Sequence, residues 1–198
     1  MNANNIVERV KKLLLTPSEE WMVIKGETHT VAGLFTNYVM VLCAIPALAS
    51  FIGWSVVGYG GLGPTNYRIP IAAGAANMVL SYILNVGAVY ALALVIDALA
   101  PNFGGEKNFI QALKVAAFFP TAAWVAGVFY ILPALVIFAL VGALYSLWLL
   151  YTGLAPLMEV PEQNVNSYTT AVMVTAIVLM VIIAIVAGLA MPSTTRGF

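Results

Sequence analysis

Residues 113–157 read LKVAAFFPTAAWVAGVFYILPALVIFALVGALYSLWLLYTGLAPL, with Lys114 the sole ionic side chain in the run. A hydrocarbon core about 30 Å thick takes about 20 residues of helix rising about 1.5 Å each. The run holds two such lengths, 113–132 and 133–157. The connection between them, around Tyr130 to Pro133, is nearly absent. The two spans should therefore form a tight antiparallel hairpin, with Pro133 opening the second helix where its missing N–H costs little.

Outward from this hairpin, three more apolar stretches of spanning length occupy 31–57, 70–99 and 169–191. Gly58, Gly60, Gly61, Gly63 and Pro64 punctuate one connection, and Pro101, Gly104 and Gly105 another. Apolar residues make up 62% of the 198 positions and Asp, Glu, Lys and Arg 8%, too few polar groups to coat a water-soluble globule. The expected fold is all-α, a polytopic integral membrane bundle of five transmembrane helices. It divides into a cytoplasmic or interfacial segment at 1–30, a membrane domain at 31–191 and a short tail at 192–198.

The first thirty residues are patterned for an interface. Ile6, Val7, Val10, Leu13 and Leu14 fall on one helical stripe beside Glu8, Arg9, Lys11 and Lys12, which predicts an amphipathic helix lying on the membrane. Thr16, Pro17 and Glu19 supply an N-cap, a first-turn proline and a capping-box acid for a second short helix, which sets Trp21 and Met22 at headgroup depth. No short apolar core with a small-residue cleavage site precedes the spans, so the first of them should target the chain.

If the spans alternate, Arg9, Lys11, Lys12, Lys25, Lys107 and Lys114 share one side, and Arg68 and Arg196 the other. The basic side is expected to be cytoplasmic, which puts the C-terminus across the membrane. The 8 basic and 8 acidic side chains cancel without long runs of either sign, which points away from nucleic acid. Cys43, the single cysteine, reads as a small buried hydrophobe.

Candidate chemistry is sparse. Gly58 to Gly63 read GYGGLG, but no Lys and Ser/Thr pair follows, so the segment reads as a turn and not a phosphate loop. His29 is the lone histidine and reads as an interfacial polar group; no metal or other cofactor is expected. Glu19 and Glu20 point in different helical directions, which suits capping and solvation. Inside the second span Gly74, Asn77, Ser81, Asn85 and Ala88 make one small, hydrogen-bonding stripe, fit either for close helix packing or for a solute pathway. Ala123 and Gly127, Gly142 and Ser146, and Ala184 and Gly188 repeat the small-xxx-small spacing on the last three spans. Pro46 and Pro120 lie within spans and should kink them. Asp97, the one aspartate, sits near a helix C-terminus where the macrodipole opposes it, so an ion pair with Lys107 or Lys114 is expected, with an ion or proton site as the alternative.

The run from Asp97 through Glu162, with FFPTAAWVAGVFYILPAL followed by LYSLWLLYTGLAPLMEVPE, resembles the core of the Yip membrane-protein family, anchored by Pro120, Pro133, Tyr145, Gly153, Pro156 and Pro161. The early LLLTPSEEW also resembles that family's pre-membrane segment. The resemblance implies five spans, a cytoplasmic N-terminus and a C-terminus on the other side. Eukaryotic members are associated with Rab-type GTPases and vesicle traffic. This chain's compact form, without their long cytosolic N-terminal region, is similar to the prokaryotic branch, where no Rab system exists. The family brings no catalytic motif.

The expectation is a non-enzymatic protein of a prokaryotic cytoplasmic (inner) membrane that organises membrane or recruits partners. The alternative is a small ion or solute channel or transporter using Asn77, Ser81, Asn85 and Asp97. Expected partners are the lipid bilayer, a second copy of the chain, and a membrane or cytoplasmic protein.

Overall fold

The computed structural model describes residues 3–58 and 68–189, and these residues contain helices and no strand. Two short helices, α1 (Ala3–Leu15) and α2 (Pro17–Gly26), precede five helices long and apolar enough to cross a membrane. Span one is Val31–Val57, span two Ile71–Phe103, span three Phe109–Ile131, span four Val136–Met158 and span five Glu162–Leu189. The GYGGLG turn beyond Gly58 and the 192–198 tail lie outside the described residues.

Local chemistry sets most of the helix ends. The Thr30 hydroxyl accepts from Gly33 N at 3.0 Å and opens span one, while the Asn108 side chain accepts from Gln111 N at 3.2 Å and opens span three, each satisfying an N–H with no intrahelical partner. Span two tightens into a last 3₁₀ turn and stops at Gly104, whose φ of +76° is the left-handed conformation that a Cβ disfavours. Two ends differ from expectation. Pro133 to Leu135 form a separate 3₁₀ turn and span four begins at Val136. Span five begins at Glu162, seven residues before the expected 169, because polar groups of its first turns are satisfied by neighbours: Asn164 Nδ2 donates to Phe103 O at 2.9 Å and Tyr168 OH to Ile96 O at 2.6 Å.

Span three is the axis of the bundle. Of its most apolar window 72% is buried, against 11% for span five, and it packs against spans one, two and four. It is not one continuous helix, since the α-helix stops at Phe118 and restarts at Thr121 around Pro120. The restart leaves first-turn N–H groups without an intrahelical acceptor, and the buried Ser146 hydroxyl of span four accepts from Ala123 N at 2.9 Å. Pro46 instead stays within a helix, flanked by wider π turns at Phe35–Val39 and Ile52–Val57.

Glycines set the closest approaches. A Cβ on Gly142 would overlap that of Ala126 and lie 2.8 Å from Ala122 O, and one on Gly127 would lie 2.6 Å from Pro46 Cβ. The small-residue reading therefore holds for spans three and four. It does not hold at Gly188 of span five, where nothing lies within 4 Å of an added Cβ. Span five rests mainly on span two and turns much of its surface outward.

Candidate functional site

The N-terminal helices are built into this bundle. Leu13, Trp21 and Ile24 are wholly buried, and Ile6, Val10 and Leu14 pack against the same core. The apolar stripe of α1 is thus covered by protein except at Val7, which is exposed. Trp21, expected at headgroup depth, instead lies against Gly153 of span four, where any Cβ would overlap its indole. The Tyr145 hydroxyl donates to Leu14 O at 2.7 Å. The capping box is absent: Thr16 caps no N–H, and its hydroxyl donates back to Lys12 O at 3.3 Å.

Charge reinforces the docking. Arg9 bonds both Glu20 and Glu27, and its guanidinium lies 5.8 Å from the centre of the Phe118 ring. Glu20, expected to be solvated, is 4% exposed, because Arg9 supplies the countercharge that burial of a carboxylate requires. His29 Nε2 lies 2.9 Å from Glu27 Oε2. Burial pushes the Glu27 carboxyl up, but hydrogen bonds from Arg9 and His29 outweigh it and hold the group below its usual value of 4.5. Lys25 pairs with Glu159, at the end of span four, at 2.7 Å.

Lys114 completes the dock. Its ammonium donates to Ile24 O at 2.9 Å, Lys25 O at 3.1 Å and Glu27 O at 2.6 Å. These carbonyls close the C-terminal end of α2, where a helix presents unpaired oxygens and partial negative charge. The expected pairing of Asp97 with Lys114 or Lys107 is therefore replaced. Among the described residues Asp97 forms no ion pair, although it is 8% exposed and its Oδ1 is buried without a hydrogen-bond partner. A run of carbonyls satisfies all three ammonium hydrogens, which one distant carboxylate could not do.

The polar stripe of span two is partly used for packing. Asn77 Nδ2 donates across to Ala187 O of span five at 2.7 Å, Ser81 Oγ to Met78 O at 3.1 Å and Asn85 Nδ2 to Ser81 O at 2.8 Å. The same three residues line a cavity of about 460 Å³ between spans one, two and five. A second cavity of about 260 Å³, against Pro46, Pro120 and Trp124, shares Asn85, Tyr130, Met180 and Ile183 with the first. No acidic or basic side chain lines either, and Asp97 belongs to neither. Asp97 follows Asn85 by twelve positions on the helix, roughly 18 Å at about 1.5 Å per residue. The residues proposed for one pathway are thus split.

Helix ends alternate through the bundle. The α2 terminus, the ends of spans two and four and the starts of spans three and five meet at one end, joined by Lys25 to Glu159 and by Glu106 N to Met158 O at 3.0 Å. Five spans enclosing buried polar contacts, preceded by a docked helical pair, define an all-α polytopic membrane protein. The Yip1 domain matches residues 11–187, and the chain belongs to this family. It is 25% identical over 173 residues to "Inner membrane protein YohC" of Escherichia coli strain K12, covering 85% of this chain and 89% of that protein. The protein of the same name from E. coli O6:H1 matches with the same identity and coverage. Neither the family description nor the relatives' name indicates an enzyme. No solved structure matches the chain.

Sequence reasoning named Lys114, Asn77, Ser81 and Asn85, but it missed Arg9, Trp21 and Gly153 as a unit. The available signal was a glycine inside an apolar helix, which marks a close approach without saying by what.

Proposed function

We propose that the chain is a non-enzymatic protein of a prokaryotic inner membrane that recruits a protein partner to the membrane surface through its N-terminal helical pair. The N-terminus is cytoplasmic and the C-terminus lies on the opposite side. The observation that carries this reading is the rigid seat of α1 and α2, fixed by Trp21 on Gly153 and by Lys114 on three carbonyls. A flexible tail would have to be ordered at binding, whereas this pair presents Lys11, Lys12, Leu15 and Met22 outward in a set geometry. The relatives' name supports the membrane assignment, and the basic residues clustered on the N-terminal side support the orientation.

Photo-crosslinking in cells tests the reading, with the reactive group placed at Leu15 and, as control, at the outward Leu144 of span four. A discrete protein adduct at Leu15, lost in the Lys11→Glu, Lys12→Glu double variant, is expected. Lipid adducts alone at Leu15, together with solute flux in proteoliposomes that depends on Asn85, would replace recruitment by the channel reading.

A further inference from the structure

The joined cavities beside Asn85 have no part in the recruitment reading. The larger, about 460 Å³, falls within the range of ligand sites, roughly 300–1,000 Å³, and the smaller, about 260 Å³, opens onto it through four shared lining residues. Along span two they run from Gly74 to Leu92, roughly 27 Å at about 1.5 Å per residue, so the space is long and narrow and lies within the membrane. Its walls are mostly apolar, with polar groups at a few points. Asn85 stands where the cavities meet; its amide N–H donates to Ser81 O, and its carbonyl oxygen has no partner among the described residues. Ser55, 6% exposed, sits in the wall of the larger cavity with its hydroxyl unpartnered.

These features select an occupant. With no basic or acidic side chain in the lining, a charged headgroup would be desolvated without a counterion, at a cost nothing here offsets. The open position at Asn85 is an acceptor, so it is completed by a donor. An ester or ketone oxygen would leave it empty, whereas a hydroxyl fills it. A hydroxyl at this depth in lipid otherwise lacks a partner, which gives the site its selectivity.

We propose that the crevice binds an uncharged lipid alcohol, a lipid whose head is a single hydroxyl, with the hydroxyl donating to Asn85 Oδ1 and the hydrocarbon chain lying along Tyr130, Met180 and Ile183. Two substitutions probe it separately. Asn85→Leu keeps the branched outline and heavy-atom count and removes the acceptor, giving up only a hydrogen bond within its own helix. Ala184→Phe enters the larger cavity from span five.

The test uses the full-length protein in phosphatidylethanolamine and phosphatidylglycerol vesicles containing a diacylglycerol with a photoactivatable group on one chain. The control is the same molecule with its hydroxyl acetylated. The diacylglycerol labels the half-buried Ile183 above the outward Val181 and Ile182, and the acetate does not. Losing one hydrogen bond in Asn85→Leu lowers crevice labelling roughly tenfold. Displacing about two methylenes of chain in Ala184→Phe lowers it roughly tenfold as well. Equal labelling by alcohol and acetate, labelling that follows outward exposure alone, or wild-type labelling in a folded Asn85→Leu protein would each overturn the assignment.

Discussion

Replacing Lys114 by Met keeps the aliphatic stem and removes the ammonium that closes α2. Three hydrogen bonds go at once, to Ile24 O, Lys25 O and Glu27 O. A hydrogen bond to a charged group contributes about 1.5–3 kcal/mol, but the three share one donor, and the desolvation cost of a lysine that is 2% exposed disappears with it. A net loss of about 2–4 kcal/mol in docking is expected, an increase of roughly 30- to 1,000-fold in the opening of α2. Amide hydrogen exchange in nanodiscs reads this directly. Protection across Trp21 to Lys25 should fall while that of span three persists. Asp97→Asn is the paired control and should leave α2 protection unchanged, because Asp97 forms no ion pair among the described residues. Unchanged exchange in Lys114→Met, or an equal loss in Asp97→Asn, would refute the carbonyl-capping account.

Gly142→Leu, which forces bulk into the Ala122 and Ala126 surface, should cost about 1–3 kcal/mol or prevent folding, whereas Gly188→Leu should leave the midpoint of thermal unfolding unchanged. Asn77→Ala removes the bond to Ala187 O and should destabilise the protein by roughly 0.6 kcal/mol, the average for interhelical hydrogen bonds in membranes, as read by denaturant titration in mixed micelles. The Glu27 carboxyl is held below 4.5 in the docked state, so its contribution to docking is complete above that value and is lost as pH falls through the lower, docked-state pKa. The protection factor at α2, exchange corrected for its intrinsic slowing in acid, should therefore fall as pH drops, and Glu27→Gln should flatten that part of the profile.

The five spans were legible because lipid imposes length and apolarity on each segment separately. The start of span five was not, since Glu162 to Tyr168 are too polar for a hydropathy window yet remain helical through bonds to Phe103 and Ile96, whose positions only the fold reveals. The stripe at Asn77, Ser81 and Asn85 was visible from its spacing, as was the close packing at Gly142. The dock of the N-terminal helices was hidden for a different reason. An amphipathic stripe records that Leu13 and its neighbours need cover, and lipid or protein satisfies that need equally well. The deciding contact, Trp21 on Gly153, joins residues 132 positions apart. Pairing Asp97 with a lysine likewise followed from charge and side of the membrane, but backbone carbonyls at a helix end carry no mark in the sequence.

The central claim, that α1 and α2 are a fixed part of the membrane bundle, is tested most directly by crosslinking Lys25→Cys to Glu159→Cys with a short bismaleimide in native membranes. Docking places these side chains in contact, at 2.7 Å between Lys25 Nζ and Glu159 Oε1. Near-complete intramolecular crosslinking is predicted, reduced when Trp21→Ala is added. Two freely labelled cysteines that fail to crosslink, or a yield indifferent to Trp21→Ala, would contradict the account.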